Sequence, residues 1–358
     1  MTLAILLLAL AQPEAIPAPA PAPWADGARV IDLPGGTVEL HSPVTLTDVD
    51  DPVINGNNTR LVYRGGPTKG VIQFARVSRG RTRDLEIVID SPGVDAAVLV
   101  TNLPGPSPSG RVSTGCHFSN VRVMHGGYPT ACRRAFSVDS FALGGIDANN
   151  DMHVFADCYA QSFTESGFYV TGTQAHKLVY DRCYAHDAGG RTVDGWRFGV
   201  GAYVVLRDCG ATATACDFRL GTNETSVRIT GFNSEQSKRF LVSGTTNSEF
   251  PCVVEQLRWD GLPEPGVPVV DCRGPGPWTV RDATFAGIDG VPATLRYTGT
   301  VPGDLTLSGV YLRQHGGAEP AVKVSVPASW SVVGHGVWWQ RIRADGSRER
   351  KAINVGVK

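Results

Sequence analysis

The 358-residue chain carries little charge of either sign. Its 33 Lys and Arg against 34 Asp and Glu leave a net charge of −1, so no overall field draws it to nucleic acid or an anionic membrane. It has no membrane-length apolar run. Leu3 to Ala11 is apolar but holds less than half of the roughly 20 residues that a spanning helix needs. It lacks an amphipathic helical stretch of the length that strand–helix–strand folds use to cross over between parallel strands. There is no Cys-x-x-Cys, and the histidines lack ligand spacing, so a zinc site is not expected. What is abundant is glycine, 42 residues of it, set between short apolar segments, a turn-rich and β-leaning composition.

The N-terminal stretch reads differently from the rest. Leu3 to Ala11 has the length of a signal-peptide apolar core and ends in the small-x-small pattern Ala9-Leu10-Ala11, although no Lys or Arg precedes it. Pro13 to Pro23 alternates Pro with Ala and forms an extended spacer. The expected organisation is a signal-like segment at 1–11, a Pro/Ala-rich spacer at 12–26, a repeat domain at 27–340 and a basic C-terminal hairpin at 341–358.

The repeat is a four-residue phrase: an apolar residue, any residue, a turn-type residue, then a small or apolar one. It runs Phe118-Ser-Asn-Val121, Phe155-Ala-Asp-Cys158, Tyr180-Asp-Arg-Cys183 and Leu206-Arg-Asp-Cys209. It continues from Ile229, Val254, Val280, Leu307 and Val332, and all but one of the steps lie between 23 and 27 residues. The exception, 37 residues, is expected to hold a loop inserted at 126–150. Out of phase with this phrase runs a second row of short strands, including Phe168-Tyr-Val170, Trp196-Arg-Phe198 and Phe218-Arg-Leu220. A fixed long period lets equivalent strands stack in parallel about 4.8 Å apart, where a sandwich would need hairpins. The expected fold is therefore all-β, a parallel β-helix of roughly 10–12 coils, with an N-terminal cap at residues 27–60 and a C-terminal β-hairpin. Cys158, Cys183 and Cys209 should form an inner column, and Cys116 with Cys132, which bracket the loop, are the best candidate disulfide.

With its entry segment Val30-Ile31-Asp32-Leu33-Pro34-Gly35-Gly36, followed by Ser42-Pro43-Val44 and Val53-Ile54-Asn55-Gly56, the array resembles the pectate-lyase-like superfamily of right-handed parallel β-helices. That superfamily includes polysaccharide lyases, glycoside hydrolases and phage tailspikes. The resemblance implies an exported or cell-surface protein that binds or cleaves polysaccharide, or else a non-catalytic tailspike-like or adhesive component, as a monomer or trimer. Gly334-His335-Gly336 matches a triplet of polygalacturonase-type glycosidases, and Arg341-Ile342-Arg343 loosely matches their basic triplet. The Asn-Thr-Asp element of those enzymes is absent, and the one Asp-Asp pair, Asp50-Asp51, lies in the N-terminal part. The triplet is better read as a turn of the repeat.

The better candidate surface is the outward side of the second strand row. Alternation assigns it Tyr169, Arg197, Arg219, Leu241, Asp271, Arg296 and Lys323. Arginine forks match carboxylates, so this row suits an acidic polysaccharide. The turns entering its first coils add Glu165, His186, Asp187, Arg191 and Asp194. Glu165, Asp187, Asp194 and Arg197 are the candidate catalytic residues, as acid and base in hydrolysis or as an Arg-assisted eliminating pair. Tyr169, His186, Arg191 and Arg219 are the candidate substrate-binding residues. The loop region contributes His125, Tyr128, Arg133, Arg134, Asp147, Asp151 and His153. The opposing reading is a polar outer row that serves solubility alone. No cofactor is expected, and no motif supports a Ca²⁺ site.

Overall fold

Each coil turns a corner at a residue held in the left-handed backbone region. In the computed structural model these corner residues include Asp84, Asn120, Asp157, Arg182, Asp208, Gln256 and Asp282, with φ from 49° to 56°, and then Gly231, Gly309 and Gly336. Asp and Asn tolerate this conformation because their short polar side chains bond locally, and Gly because it has no Cβ. The corners also bond to one another. Asn120 Nδ2 donates to Asp84 Oδ1 at 2.9 Å, and Arg182 reaches both Asp157 oxygens at 2.7 and 2.9 Å. The corner residue is the third residue of the repeat phrase, which is why that phrase was visible in the sequence.

The structure describes residues 29–355 apart from 106–109, 127–131, 147, 162, 188–189, 200, 222–224, 245–250, 275, 300–301 and 321–322. The signal-like segment and the spacer lie outside the described residues, as do Tyr128 and Asp147. The described residues form strands and turns, with no helix among them. One 19-stranded sheet folds at the corners into two faces, as at Val154–Ala156 and Tyr159–Gln161. Here these are called face one and face two. Face three is an 11-stranded sheet from Val44–Thr47 to Val324–Ser325, and its strands pair in parallel throughout. The chain is a parallel β-helix of about 11 coils.

The core is two interdigitating aromatic ladders. Phe118, Phe155 and Tyr180 stack inside face one at 5.0 and 4.9 Å between ring centroids. Phe136, Phe168, Trp196 and Phe218 stack inside face three at 5.0, 5.0 and 5.2 Å. The ladders meet edge to face, as Phe168 does with Tyr180 at 5.3 Å and 74°, a geometry that rings favour. Cys158, Cys183 and Cys209 form the expected buried column, with the Cys183 amide donating to Cys209 Sγ at 3.4 Å.

Several expectations are corrected. The described part of the N-terminal segment expected as a cap at 27–60 is built as coils in register with the helix. Val30–Asp32 and Thr37–Leu40 pair in parallel with Val53–Tyr63, and Ile31 and Leu40 are buried in register with Ile54 and Tyr63. The region 126–150 is not one loop. Cys132–Asp139 is a regular face-three strand, and the surplus residues lie at 140–153, matched by a long turn at 102–116 in the preceding coil. The two turns pair through Ser113–Thr114 and Asn150–Asp151. Cys116 and Cys132 are free and buried, as are the other six cysteines. They serve different sheets: Cys116 Sγ contacts the Val77 carbonyl, and Cys132 Sγ the Arg134 carbonyl. Burial pushes both thiols up to about 12. The last repeat phrase sits two residues late, because Val332 pairs with Leu305 and Gly334 with Leu307. The corner is then Gly336, and His335 is an exposed neighbour of Ser308. The C-terminal hairpin is present, with Trp338–Ile342 antiparallel to Arg348–Ala352. Its cations are largely matched: Arg341 and Arg343 reach Glu349, and Lys351 reaches Glu319.

The long turns are locked by a buried polar network. Asn102 Nδ2 donates to the Ala148 and Asn149 carbonyls at 3.1 and 3.2 Å, and its Oδ1 accepts the Ser113 amide at 3.1 Å. His153, fully buried, accepts the Cys116 amide on Nδ1 at 3.1 Å. Its Nε2 then carries the proton and donates to Asn150 Oδ1 at 2.9 Å, a tautomer assigned from these partners. Desolvation lowers the His153 pKa from 6.5 to about 3. Desolvation raises buried Asp217 from 3.8 to about 7, against the lowering influence of Ser234, Ser237, Thr214 and Trp259.

Two predictions follow from this interior. Reductant is expected to leave the melting temperature unchanged, with thiol labelling of the unfolded chain finding all eight cysteines free; a mass deficit from disulfides would contradict the column as described. The second concerns pH. Asp217, raised in the fold, contributes stability that is present below about pH 4 and lost as pH rises through about 7. His153, lowered in the fold, contributes stability that is present above about pH 6.5 and lost as pH falls towards 3. In the native protein the two slopes offset. Asp217→Asn removes only the first, so its stability relative to wild type should rise between pH 4.5 and 8, by an amount on the order of 3 kcal/mol. Melting curves at the two pH values test this, and a pH-independent difference would show that Asp217 is ionised in the fold.

Candidate functional site

Strand alternation sends one residue of each face-three strand outward per pair, and the register sets which residues line up. The outer row is Ser137, Tyr169, Arg197, Arg219, Val242, Asp271, Arg296 and Ser325. Two expected members are thereby replaced. Leu241 points inward and is buried, with Val242 in its outer place. Lys323 precedes the last strand, and Ser325 takes the position beside Arg296. The cause of the first shift is a bulge. The amides of Phe240 and Leu241 both donate to the Val269 carbonyl, at 3.0 and 3.2 Å, so two residues oppose one and the alternation slips by one.

The structure brings together Glu165, Tyr169, Asp194, Arg197 and Arg219. Glu165 accepts from Arg133 at 2.8 Å, Arg134 at 2.9 Å and Arg197 at 3.2 Å. Arg134 also contacts Asp139 at 3.2 Å and lies 3.5 Å above the Tyr169 ring. Asp194 takes a two-point clasp from Arg219, at 2.6 and 3.1 Å. Further along, Asp271 is held by Arg239 and by both prongs of Arg296. These guanidiniums keep the Asp271 carboxyl below the usual range despite desolvation. The carboxylates are recessed, and Arg197, Arg219 and Arg296 stand over them. Asp194 and Asp271 side chains are 7% and 4% exposed, whereas Arg197, Arg219 and Arg296 are 42%, 40% and 44% exposed. The face therefore shows guanidinium to solvent.

Other expected residues lie apart from this row. Asp187 is buried, and its Oδ2 accepts the amides of Thr192 and Val193 at 2.7 and 3.2 Å, so it braces the turn between faces two and three. Arg191, with φ 71°, lies in that turn. His186 belongs to face two, where Nδ1 meets the Tyr159 hydroxyl at 3.1 Å. Asp151 accepts from Thr114 at 2.6 Å within the paired long turns. Among the described residues no group of three or more His, Cys, Asp or Glu is placed to hold a metal ion. Asp194 and Glu165 each spend their oxygens on arginine.

Sequence reasoning missed an aromatic pair on face two. Tyr159 and Tyr184 stack outward at 6.0 Å and 8°, with Arg122 5.5 Å from the Tyr159 ring. Gly210 leaves room for them, since a Cβ there would meet the Tyr184 ring at 2.6 Å. The signal was present: the two tyrosines are one coil apart and occupy one register position.

No protein-family model matches the sequence, and no curated protein matches it. Solved structures with similarity include the catalytic domain of a GH87 α-1,3-glucanase in complex with tetrasaccharides. It is 12% identical, with a TM-score of 0.42 over 92% of this chain and 70% of that chain. They also include endo-xylogalacturonan hydrolase from Aspergillus tubingensis, 12% identical, with a TM-score of 0.40 over 89% and 86%. The parallel β-helix is established by the strand register of the chain itself.

Proposed function

We propose that this protein is an exported or cell-surface β-helix that binds an acidic polysaccharide along face three. One observation carries the reading: half-exposed arginines at adjacent register positions, Arg197 and Arg219, stand beside Tyr169 over recessed carboxylates. Adjacent coils repeat at about 4.8 Å, so Arg197 and Arg219 offer neighbouring cationic donors to a linear anionic chain. Each buried carboxylate engages only part of its arginine. Arg219 uses Nε and Nη2 on Asp194, and Arg197 uses Nη1 on Glu165. The remaining donors are available to a uronate or sulfate group. Export rests on the apolar segment Leu3 to Ala11 and the spacer behind it.

Binding is favoured over cleavage because Glu165, Asp187 and Asp194 are all committed to internal partners. In this reading Glu165 and Asp194 are positioning residues that set the arginine forks.

The test is a binding titration with polygalacturonate and with neutral dextran, read alongside reducing-end and unsaturated-product assays. Polygalacturonate should bind, dextran should not, and added salt should weaken the complex. Arg197→Gln leaves Glu165 with Arg133 and Arg134, so the fold should hold while affinity drops about tenfold. Equal binding of both polymers would end the electrostatic reading. New reducing ends or unsaturated products, lost in Glu165→Gln, would replace binding with catalysis.

A further inference from the structure

On face one, the strands Tyr203–Arg207 and Ser226–Thr230 lie side by side in parallel. Alternation turns Tyr203, Val205 and Arg207 outward from the first, and Arg228 and Thr230 from the second. These five residues line an open depression of about 470 Å³, a size in the range of small-ligand sites. We propose that this depression is a second glycan site, separate from the face-three row, for a short saccharide bearing a carboxylate or sulfate group.

Three features argue for that ligand. Tyr203 is 43% exposed, an unusual placement for a large ring on a sheet whose inner aromatics are fully buried. A tyrosine presents an apolar plane with a polar edge, which suits the face of a sugar ring. Arg207 is exposed, and among the described residues its guanidinium meets no carboxylate. Its register neighbour Asp181 goes to Arg182 instead, and the neighbour on the other side is Thr230. Arg228 adds a second cation, held at one prong by Glu255 at 3.1 Å. Most other arginines on the faces of this helix are clasped by an acid, so an unmatched one beside an exposed ring marks a place for an external anion. Tyr203 and Arg207 are four residues apart on an extended strand, about 13 Å, which accommodates a short oligosaccharide rather than one sugar.

The inference rests on the reading of the protein as a binder of anionic glycans. With two sites, a long polymer would bridge faces one and three or crosslink molecules, whereas short oligomers would report each site alone. The experiment is a calorimetric titration of the full protein with oligogalacturonate and, in a second arm, with a carrageenan oligosaccharide, which carries sulfate and no carboxylate. Whichever arm binds identifies the anionic group. Two sites are expected. Arg207→Gln and Tyr203→Ala should each weaken one of them about tenfold, and Arg197→Gln should weaken only the other. Both replaced side chains are exposed, so the fold should survive. Unchanged titrations in Arg207→Gln and Tyr203→Ala, with loss in Arg197→Gln, would overturn this site and leave the face-three reading standing. Loss in Arg207→Gln with none in Arg197→Gln would support this site and overturn the face-three row. No binding in either arm would overturn both.

Discussion

The constraint on which the rest depends is that every coil must return to the same place after one circuit. Parallel strands bond in register only if equivalent residues stack about 4.8 Å apart. A left-handed residue at one corner meets this condition by folding a single strand into two faces without breaking the ladder. From Asp84 to Gly336 that corner recurs, and side chains such as Asn120 and Arg182 tie it to the coil before. Once the corners align, side chains repeat as columns. The inner columns become aromatic ladders and a line of thiols. The outer columns become rows of arginine, carboxylate and tyrosine.

Stacking also explains how length is accommodated. Extra residues are expelled into turns, where they do not disturb the ladder. Two consecutive coils carry long turns, at 102–116 and 140–153, whose described residues pair with each other through Ser113–Thr114 and Asn150–Asp151. Their anchor is the neutral His153 with Asn102 and Asn150, a hydrogen-bonded network of buried side chains. A bulge absorbs a smaller irregularity at Phe240 and Leu241 and puts Val242 rather than Leu241 in the outer row of face three, while Asp271 and Arg296 keep their places.

The electrostatic design of face three follows from the same geometry. Acids at Glu165, Asp194 and Asp271 sit low against the backbone, and longer arginines from neighbouring coils reach over them. A surface built this way has nearly balanced charge yet exposes mainly cationic donors. Individually such pairs contribute little to stability when half-exposed. Their stronger effect is to hold guanidiniums in fixed orientation, which lowers the entropy lost on meeting a ligand.

Much of the architecture was legible in the sequence, because a phrase such as Phe155-Ala-Asp157-Cys158 records both the corner and the inner column in adjacent residues. The coil length, the cysteine column and the Tyr169–Arg197–Arg219 row all followed from that period. What the sequence left open depended on contacts between distant coils. The bulge that turns Leu241 inward, the face-three strand within 126–150 and the separation of Cys116 from Cys132 are set by hydrogen bonds to neighbouring coils. The arginines that occupy Glu165 and Asp194 come from other coils too, as does the surface that leaves Arg207 unmatched. Away from that bulge, local periodicity determines which residues face out. Only the stacked structure decides which of them already have partners, because a guanidinium and its carboxylate meet across coils and not along the chain.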